Sequence, residues 1–429
     1  MKRNSVRRTF MATTVAGLLA LAAACGGGPS GPNAKPTGNG NVKKSVSGSL
    51  HVLMEQVPDT DIVKNLLPEF NKVYPNVHVK IDAIVYDQIR DKVVASSTAP
   101  KPTYNLAIVD NPWMGDFAKA GFLKPLDSYV KTTSGYDYGD FAPPLRQIGT
   151  VGGHIYGVPF YNYGLGLIYR QDQLAQPPTA LNGLAADAAK LNTASEAGIA
   201  MQPQRGYKAF EEWGNYLFAA GGSIYGSDGK VNLETPQAKT ALNTYIKMYH
   251  SSAPKNSLNW AFDDAERSVS SGKSAMMVSY NWMLPTLNKR GAGPLAGKFA
   301  LASMPGGKQI LGLWDWAIPA NSNTSDADWA FISWLTSKAG EKTRVIAGGA
   351  PTRNSVLTDP EVAKKGYGAA YYKTVGQILA NSAPLCTGAN CDEMIQAVGT
   401  ELNAAVAGQK SINDALTTAT TKANKIQAN

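Results

Sequence analysis

Apolar and polar residues alternate with two different periods along the first half of the chain. Residues 50–54 form a short apolar run that is typical of a buried strand, and the apolar residues between 62 and 73 recur at helical spacing. Strict alternation over residues 77–83 predicts a half-buried strand, and residues 106–109, which lead into Asp110, predict a fully buried one. Strands that alternate with helices in this way predict an α/β fold with a mostly parallel sheet.

The second half of the chain is richer in helical periodicity. Ser411 lies three residues before Asp414, a spacing that is typical of a helix start whose side chains cap the backbone. The chain has no internal repeats. The apolar pattern predicts helices over residues 209–220, 236–250, 261–271, 325–346, 392–407 and 411–427.

Length and composition favour a globular protein with two domains or lobes. The chain has 429 residues, of which 44% are hydrophobic and 17% are charged. A single hydrophobic core rarely grows beyond about 250–300 residues, so two units are expected. The formal net charge is +9, but four of the basic residues lie among the first eight residues. The rest has 37 basic and 32 acidic residues and no dense basic tract, which argues against nucleic acid as a partner.

The first 25 residues have the pattern of an export signal. Basic residues precede an uncharged run that is too short to span a bilayer, which predicts a signal peptide over residues 1–24. Two adjacent arginines leave both twin-arginine and general secretory export open. The residues before Cys25 resemble a bacterial lipobox, which implies that Cys25 is lipidated, for example by palmitate. Residues 25–48 are rich in Gly, Pro, Asn, Ser and Lys and are expected to form a flexible tether.

The two remaining cysteines are close together in the sequence. Cys386 and Cys391 enclose four residues and have neither the CxxC spacing nor the neighbouring histidines of a metal site. In an exported protein, a local disulfide is favoured over two free thiols.

Motifs that would indicate catalysis are missing from the sequence. It contains no G-x-S-x-G elbow, no H-E-x-x-H motif and no Rossmann glycine fingerprint after a strand. Residues 271–274 resemble the end of a phosphate-binding loop, but the glycine that this loop needs five residues before Gly272 is Arg267. The four histidines are widely scattered. The sequence therefore predicts a protein that is not an enzyme and that binds neither a cofactor nor a metal.

Aromatic residues are the main candidates for ligand binding. The chain has eight tryptophans and nineteen tyrosines. Aromatic faces stack on the apolar faces of sugar rings, while carboxylates, amides and arginine bind the hydroxyl groups. For tryptophans beside polar residues at the ends of predicted elements, ligand contact and core packing fit the spacing equally well. These tryptophans are Trp113, Trp260, Trp282 and Trp314.

Seven stretches, taken in order, resemble one protein family. They are LPEFNKVYPNVHVKI, VDNPWMGDFAKAGFLKPLD, GGHIYGVPFYNYGLGLIYR, SGKSAMMVSYNWM, LGLWDWAIPANS, WAFISWLTS and GGAPTRNSVL. The resemblance begins at about residue 48, continues to the C-terminus, and rests most on VDNPWMGDFAKAGFL and APTRNSVL. The family is that of the family 1 extracellular solute-binding proteins of ABC sugar importers, which are similar to maltose-binding protein.

The resemblance implies a type II periplasmic-binding-protein fold. In this fold two α/β lobes are joined by hinge strands, and the ligand binds in the cleft between them. Lobe one is expected to comprise residues 49–160 and 300–342, and lobe two residues 161–299 and 343–429. The chain would cross between lobes near residues 157–169, 299–305 and 337–346.

The resemblance also implies which residues bind the ligand. Two positions depart from the family pattern: Tyr163 stands where disaccharide-binding members often have an acid, and Asp315 is an additional acceptor for hydroxyl groups. Trp260 is a candidate because of its position beside Asn259. The candidates carried over from the family are Gln56, Asp110, Trp113, Tyr161, Trp282, Trp314 and Arg353.

The expected function is capture of a sugar or polyol outside the cytoplasm and delivery to the permease of an ABC importer by lobe closure. The protein is expected to be a monomer, lipid-anchored to the outer face of the bacterial cytoplasmic membrane. A secreted carbohydrate-active enzyme is the main alternative, and a surface adhesin with a vestigial cleft is another. A phosphorylated glycerol or a small peptide also stays open as the ligand.

Overall fold

Strands and helices alternate in the first lobe, and helices dominate the second, in the computed structural model, which describes residues 38–428. The strands are β1 (Gly48–Glu55), β2 (Val77–Ile84), β3 (Leu106–Asp110), β4 (Thr150–Val151), β5 (His154–Ile155), β6 (Val158–Asn162), β7 (Leu165–Arg170), β8 (Met276–Tyr280), β9 (Phe299–Ala302), β10 (Gln309–Ile310), β11 (Leu313–Ala317) and β12 (Ser382–Ala383). The α-helices are α1 (Pro58–Val73), α2 (Tyr86–Thr98), α3 (Asn111–Lys119), α4 (Asp127–Thr132), α5 (Pro143–Ile148), α6 (Leu181–Leu191), α7 (Tyr207–Ala219), α8 (Pro236–Ser252), α9 (Phe262–Ser270), α10 (Met283–Asn288), α11 (Ser325–Leu335), α12 (Lys338–Ile346), α13 (Asn354–Leu357), α14 (Pro360–Lys365), α15 (Ala369–Ala380), α16 (Cys391–Val406) and α17 (Ile412–Gln427).

Lobe one is built around a five-stranded sheet with the order β2-β1-β3-β11-β6. Strand β1 runs parallel to β2 and β3, as the alternation of strands and helices predicts, whereas β11 is antiparallel to both β3 and β6. Every residue of β3 is buried, which is why its sequence is a continuous apolar run rather than an alternating one. Helices α1, α2, α3 and α11 contribute to the apolar core around this sheet.

Lobe two contains a three-stranded antiparallel sheet with the order β8-β7-β9. Its core is formed with α7, α8, α16 and α17 and includes the fully buried Trp213 and Tyr216. The mostly parallel arrangement predicted from the first half of the chain therefore does not extend to this lobe. Buried strands are apolar on both faces, and this apolar pattern does not predict whether a strand pairs with its neighbour in a parallel or an antiparallel manner.

Strand pairing and a hydrogen bond of α12 place the passages between the lobes later in the chain than the expected domain boundaries after residues 160, 299 and 342. Strand β6 pairs with β11, so residues 161–162 belong to lobe one, and the first passage is Tyr163-Gly164. Strand β9 pairs with β7, so residues 300–302 belong to lobe two, and the second passage is Leu311-Gly312 between β10 and β11. Helix α12 is bonded to lobe one through Arg344, which puts the third passage after residue 346.

Part of the expected tether is packed against lobe one. The backbone N–H of Gly40 donates a hydrogen bond to Thr132 Oγ1 (2.6 Å), and Asn41 Nδ2 donates to the Thr132 carbonyl oxygen (2.6 Å). The prediction of a flexible tether is therefore wrong for residues 40 and 41, because their amide groups form hydrogen bonds with Thr132 of α4. The predicted signal peptide, and Cys25 with its predicted lipid, lie outside the described residues.

The predicted helices of the second half are present, with one break. The pattern over 325–346 is divided between α11 and α12, because Ser337 begins a new helix by accepting a hydrogen bond from the Gly340 N–H (3.0 Å). Ser411 accepts from the Asp414 N–H (3.1 Å), as its spacing predicts. None of the helices within residues 38–428 combines the length and the apolar character that crossing a membrane requires.

Candidate ligand-binding cleft

A cleft of about 850 Å³ lies between the two lobes. On lobe one it is lined by residues at the edge of the sheet where β1, β3 and β6 end and β11 begins. Sheet pairing places Trp314 directly opposite Asp110 on one side and Tyr161 on the other, so three candidates from distant parts of the chain become neighbours. Open α/β sheets usually bind ligands at this edge, outside the carboxyl ends of the parallel strands.

The wall on lobe one is aromatic. Trp314 meets the ring of Tyr86 edge-on with ring centres 6.0 Å apart, and Tyr161 lies 6.2 Å from Trp314. Trp113 packs behind this wall, edge-on to Trp314 at 5.4 Å. Such aromatic pairs stabilise one another beyond the apolar area they bury, so the wall is a preformed surface.

The wall on lobe two is also aromatic. Trp282 lies nearly parallel to Tyr280, with 5.8 Å between ring centres and 15° between planes, and Phe262 lies 5.6 Å from Trp282. Tyr280 is the last residue of β8, and Phe262 is the first residue of α9. Across the cleft, Tyr207 approaches Tyr86 of lobe one to 6.3 Å.

Two carboxylates lie among these rings. Glu55 accepts a hydrogen bond from the Tyr161 hydroxyl (2.6 Å), and Asp110 accepts one from the Tyr86 hydroxyl (2.9 Å) and another from the Tyr163 hydroxyl. Burial raises the pKa of Glu55, and it raises that of Asp110 to about 8, although the tyrosine hydroxyls oppose the shift in both cases. The carboxyl groups thus hold the hydroxyls of the tyrosines that surround the cleft.

Lys208 brings a buried positive charge to the lobe-two side of the cleft. Its ammonium group contacts Glu211 (2.7 Å) and the Tyr280 hydroxyl. Burial lowers the pKa of Lys208, but Glu211 and Tyr280 outweigh that effect and hold the pKa above its ordinary value. The charge of Lys208 is therefore already compensated by lobe two itself.

Most of the residues expected from the sequence meet at this cleft. Trp113 does not line it, because its ring packs behind Trp314 and against Phe117 of α3. The Trp260 side chain is not part of the lining either and packs on the neighbouring apolar cluster that includes Val269 and Met283. Those that line the cleft are Gln56, Asp110, Tyr161, Tyr163, Trp282 and Trp314.

Asp315 and Arg353 lie in the interior of the protein and away from the cleft. Successive side chains of a strand point to opposite faces, so the residue after Trp314 is directed into lobe one. Asp315 is fully buried, and neither carboxylate oxygen has a hydrogen-bond partner within residues 38–428. Arg353 is also fully buried and donates to the carbonyl oxygens of Thr336 (2.8 Å) and Asp137 (2.8 Å). The arrangement fits a structural role for this arginine rather than ligand contact.

Several residues that line the cleft were missed in the sequence. Each lies at the end of a strand or in the first turn of a helix, and a simple signal existed for two of them: Glu55 directly precedes the candidate Gln56, and Tyr280 precedes Trp282 by two residues. The missed residues are Glu55, Tyr86, Tyr207, Lys208, Phe262 and Tyr280.

The buried carboxyl groups predict how stability depends on pH. Burial raises the pKa of Asp110 to about 8, of Glu212 to about 8 and of Asp328 to about 7, while carboxyl groups of unfolded chains titrate near about 4. The unfolded chain therefore releases protons that the folded protein keeps. We expect the free energy of unfolding to fall by at least about 3 kcal/mol as the pH rises from about 5 to about 8, because each such group contributes about 1.4 kcal/mol per pH unit.

Urea unfolding at several pH values measures this dependence. Below about pH 4 the trend should reverse, because Arg170 holds the pKa of Asp172 at about 2, and protonation of Asp172 removes that stabilisation. A free energy of unfolding that increases steadily from pH 5 to pH 8 would contradict the prediction.

The fold and the cleft define a class of protein. Two α/β lobes joined by crossing strands, with an aromatic cleft between them, are the architecture of a two-lobed solute-binding protein. The model of the family described as bacterial extracellular solute-binding protein matches residues 56–342, and the chain belongs to this family. The family, by its description, acts outside the cytoplasm and consists of binding proteins rather than enzymes.

Similar proteins come from several organisms. A "Probable ABC transporter-binding protein" of Deinococcus radiodurans is 28% identical over 52% of this chain and 57% of its own length. The maltotriose-binding protein of Pyrococcus abyssi is 23% identical over 72% of this chain and 67% of its own length. A solute-binding protein of an ABC transporter from Agrobacterium radiobacter K84, in complex with ribitol, is 25% identical with a TM-score of 0.79 over 89% of this chain and 99% of its own. This chain thus matches little more than half the length of the first relative.

Proposed function

We propose that the protein captures an uncharged sugar or polyol and delivers it to an ABC importer. The observation that carries this proposal is that aromatic walls of both lobes face one cleft, with carboxylate groups between them. Trp282 and Tyr280 offer a flat surface to an apolar ring face, and Glu55 can accept hydrogen bonds from hydroxyl groups. The ribitol and maltotriose ligands of similar proteins fit the same chemistry.

The charges around the cleft favour an uncharged ligand over an anion. Among residues 38–428, five acidic residues line it together with two basic residues, Arg205 and Lys208, of which Lys208 is already paired with Glu211. Asp110 is mostly uncharged at pH 7 because burial raises its pKa to about 8, but an anionic ligand would still have to approach the negative charge of the other acidic residues. The acidic residues are Glu55, Asp87, Asp110, Asp263 and Glu266.

The mechanism follows from the position of the cleft between the lobes. A ligand that contacts both walls has a higher affinity for the closed form than for the open form, so its binding shifts the population toward closure. The passages at Tyr163-Gly164 and Leu311-Gly312 would act as the hinge. The importer would then recognise the closed form, and the monomeric binding protein itself would carry out no chemical step.

A ligand panel tests the proposal. Ribitol, mannitol, maltose and maltotriose are added to the protein, with gluconate and glycerol phosphate as anionic comparisons, and binding is measured by calorimetry. We expect at least one uncharged compound to bind and to be recovered unchanged. Turnover of a glycan would instead support the alternative of a carbohydrate-active enzyme, and absence of binding by every uncharged compound would refute the proposed ligand class.

The lipid anchor is a separate part of the proposal. Cys25 would be acylated after removal of residues 1–24, and the residues after it would link the lipid to lobe one. We expect Cys25→Ser to move the protein from the membrane fraction to the soluble fraction of the exported material, while ligand affinity stays within about twofold. Immunoblots of the two fractions measure the distribution, and a variant that stays with the membrane would contradict lipidation at this residue.

A further inference from the structure

A short disulfide-closed loop of lobe two makes contact with lobe one. Cys386 and Cys391 are bonded, with their Cα atoms 5.5 Å apart, and close the loop over residues 387–390. At the tip of this loop the backbone N–H of Asn390 donates a hydrogen bond to Asp116 Oδ1 (2.8 Å) on α3 of lobe one. The loop therefore joins the lobes close to the second passage, because β12, which precedes the loop, pairs with β10, and the Leu311 N–H donates to the Ala383 carbonyl oxygen (2.9 Å).

The same loop packs closely on a glycine of α3. A Cβ atom built on Gly115 would lie 2.4 Å from the carbonyl oxygen of Gly388, a separation that side chains essentially never show. Gly388 has a φ of +102°, which favours glycine at the loop tip as well. Glycine within a helix normally reduces stability, so its presence at position 115 is explained by this close approach.

On its other side, the loop is bonded to lobe two. The Thr387 N–H donates to the Tyr225 hydroxyl (3.0 Å), Gln427 Nε2 donates to the Thr387 carbonyl (3.2 Å), and Asn390 Nδ2 donates to the Ile426 carbonyl (2.9 Å). With the disulfide, these bonds hold the loop in one conformation. A loop that is ordered beforehand loses little conformational entropy when it docks.

The helices that the loop region contacts lead directly to the cleft. Helix α3 begins after Asp110, and α2, whose Arg90 lies 3.8 Å from Asp392 of α16, begins at Tyr86. Both Asp110 and Tyr86 line the cleft. The geometry points to an interlobe clasp, formed by the disulfide loop and Gly115-Asp116, that stabilises the arrangement of the lobes seen here, in which Tyr86 and Tyr207 approach each other across the cleft, and so increases ligand affinity.

Gly115→Ala tests the clasp with a matched control. The added methyl group should force the loop away from α3, so small-angle X-ray scattering of the free full chain should show a larger radius of gyration. Gly376→Ala in α15 is the control, because its Cβ would meet no atom within 4 Å. Alanine at position 376 should raise the melting temperature through helix propensity and leave the radius unchanged. If Gly115→Ala behaves like this control, the clasp is refuted.

Reduction of the disulfide gives a second test. Both the Cys386→Ser/Cys391→Ser variant and the wild-type protein in dithiothreitol should show the larger radius, and ribitol or maltotriose, whichever binds, should bind about threefold more weakly. Apparent affinity falls in proportion to the fraction of molecules in the binding-competent arrangement, which explains the expected change. An unchanged radius in both would overturn the role of the disulfide. The scattering experiment needs no ligand, so its outcome is separate from that of the proposed function.

Discussion

Replacement of Arg344 by methionine is expected to lower the free energy of unfolding by about 3–5 kcal/mol. Arg344 is fully buried in α12, and its guanidinium group forms an ion pair with Asp59 of α1. The same group donates to the carbonyl oxygens of Phe160 and Ala350, each at 2.7 Å. Methionine fills a similar volume, but it leaves a buried carboxylate without its counter-charge and two carbonyl oxygens without their donor.

Urea unfolding at pH 7 measures this loss, and two further variants define its cause. Burial raises the pKa of Asp59 and Arg344 opposes that shift, so Asp59→Asn in the Arg344→Met background should restore part of the stability. Lys365→Met breaks the exposed pair with Glu361 and should lower the free energy of unfolding much less, because solvent screens this pair. If Arg344→Met lowers the free energy of unfolding as little as Lys365→Met does, the buried Arg344–Asp59 pair does not contribute substantially to the attachment of α12 to lobe one.

The sequence was sufficient to predict elements whose burial follows a regular period. The strand that leads into Asp110 and the helix start at Ser411 are both found where the pattern puts them. Local chemistry of this kind depends on neighbours along the chain. The pairing of β9 with β7 depends on distant residues instead, and for that reason the predicted lobe boundary at residue 300 was wrong.

The same distinction explains the candidate site. Trp282 and Trp314 could be proposed because both belong to stretches that resemble the family, and both line the cleft. Arg353 also belongs to such a stretch, yet its guanidinium group is used to bond backbone carbonyls inside lobe one. A motif records that a residue type is needed at a position, but only the three-dimensional surroundings distinguish a ligand contact from an internal one.

Lys208 illustrates what sequence patterns leave out. It lies in the first turn of α7, where a lysine on a helix surface would ordinarily be solvated. Its environment is set by Glu211, one helical turn further on, and by Tyr280 from another element. The first contact has a regular spacing and could have been proposed, whereas the second arises only when β8 and α7 are brought together.

Trp282→Ala is expected to lower ligand affinity at least tenfold while the protein stays folded. Trp282 is half-buried and lines the cleft, and it lies nearly parallel to Tyr280. A ligand ring stacked on it would lose that contact and would be left beside a cavity open to water. Loss of a well-stacked aromatic contact costs about 1.4 kcal/mol or more, and 1.4 kcal/mol corresponds to a factor of ten in affinity. Calorimetry with the best uncharged ligand of the panel measures the change.

Trp334→Ala is the matched control for this experiment. Trp334 is half-buried like Trp282, but it packs on Phe70 of lobe one with 5.4 Å between ring centres and has no place in the cleft lining. Both variants remove the same indole and should reduce stability, so only a loss specific to Trp282 reports ligand contact. Trp282→Phe should keep part of the affinity, because a smaller ring still offers a flat face. Equal affinities for the Trp282→Ala and Trp334→Ala variants would mean that Trp282 does not contact the ligand.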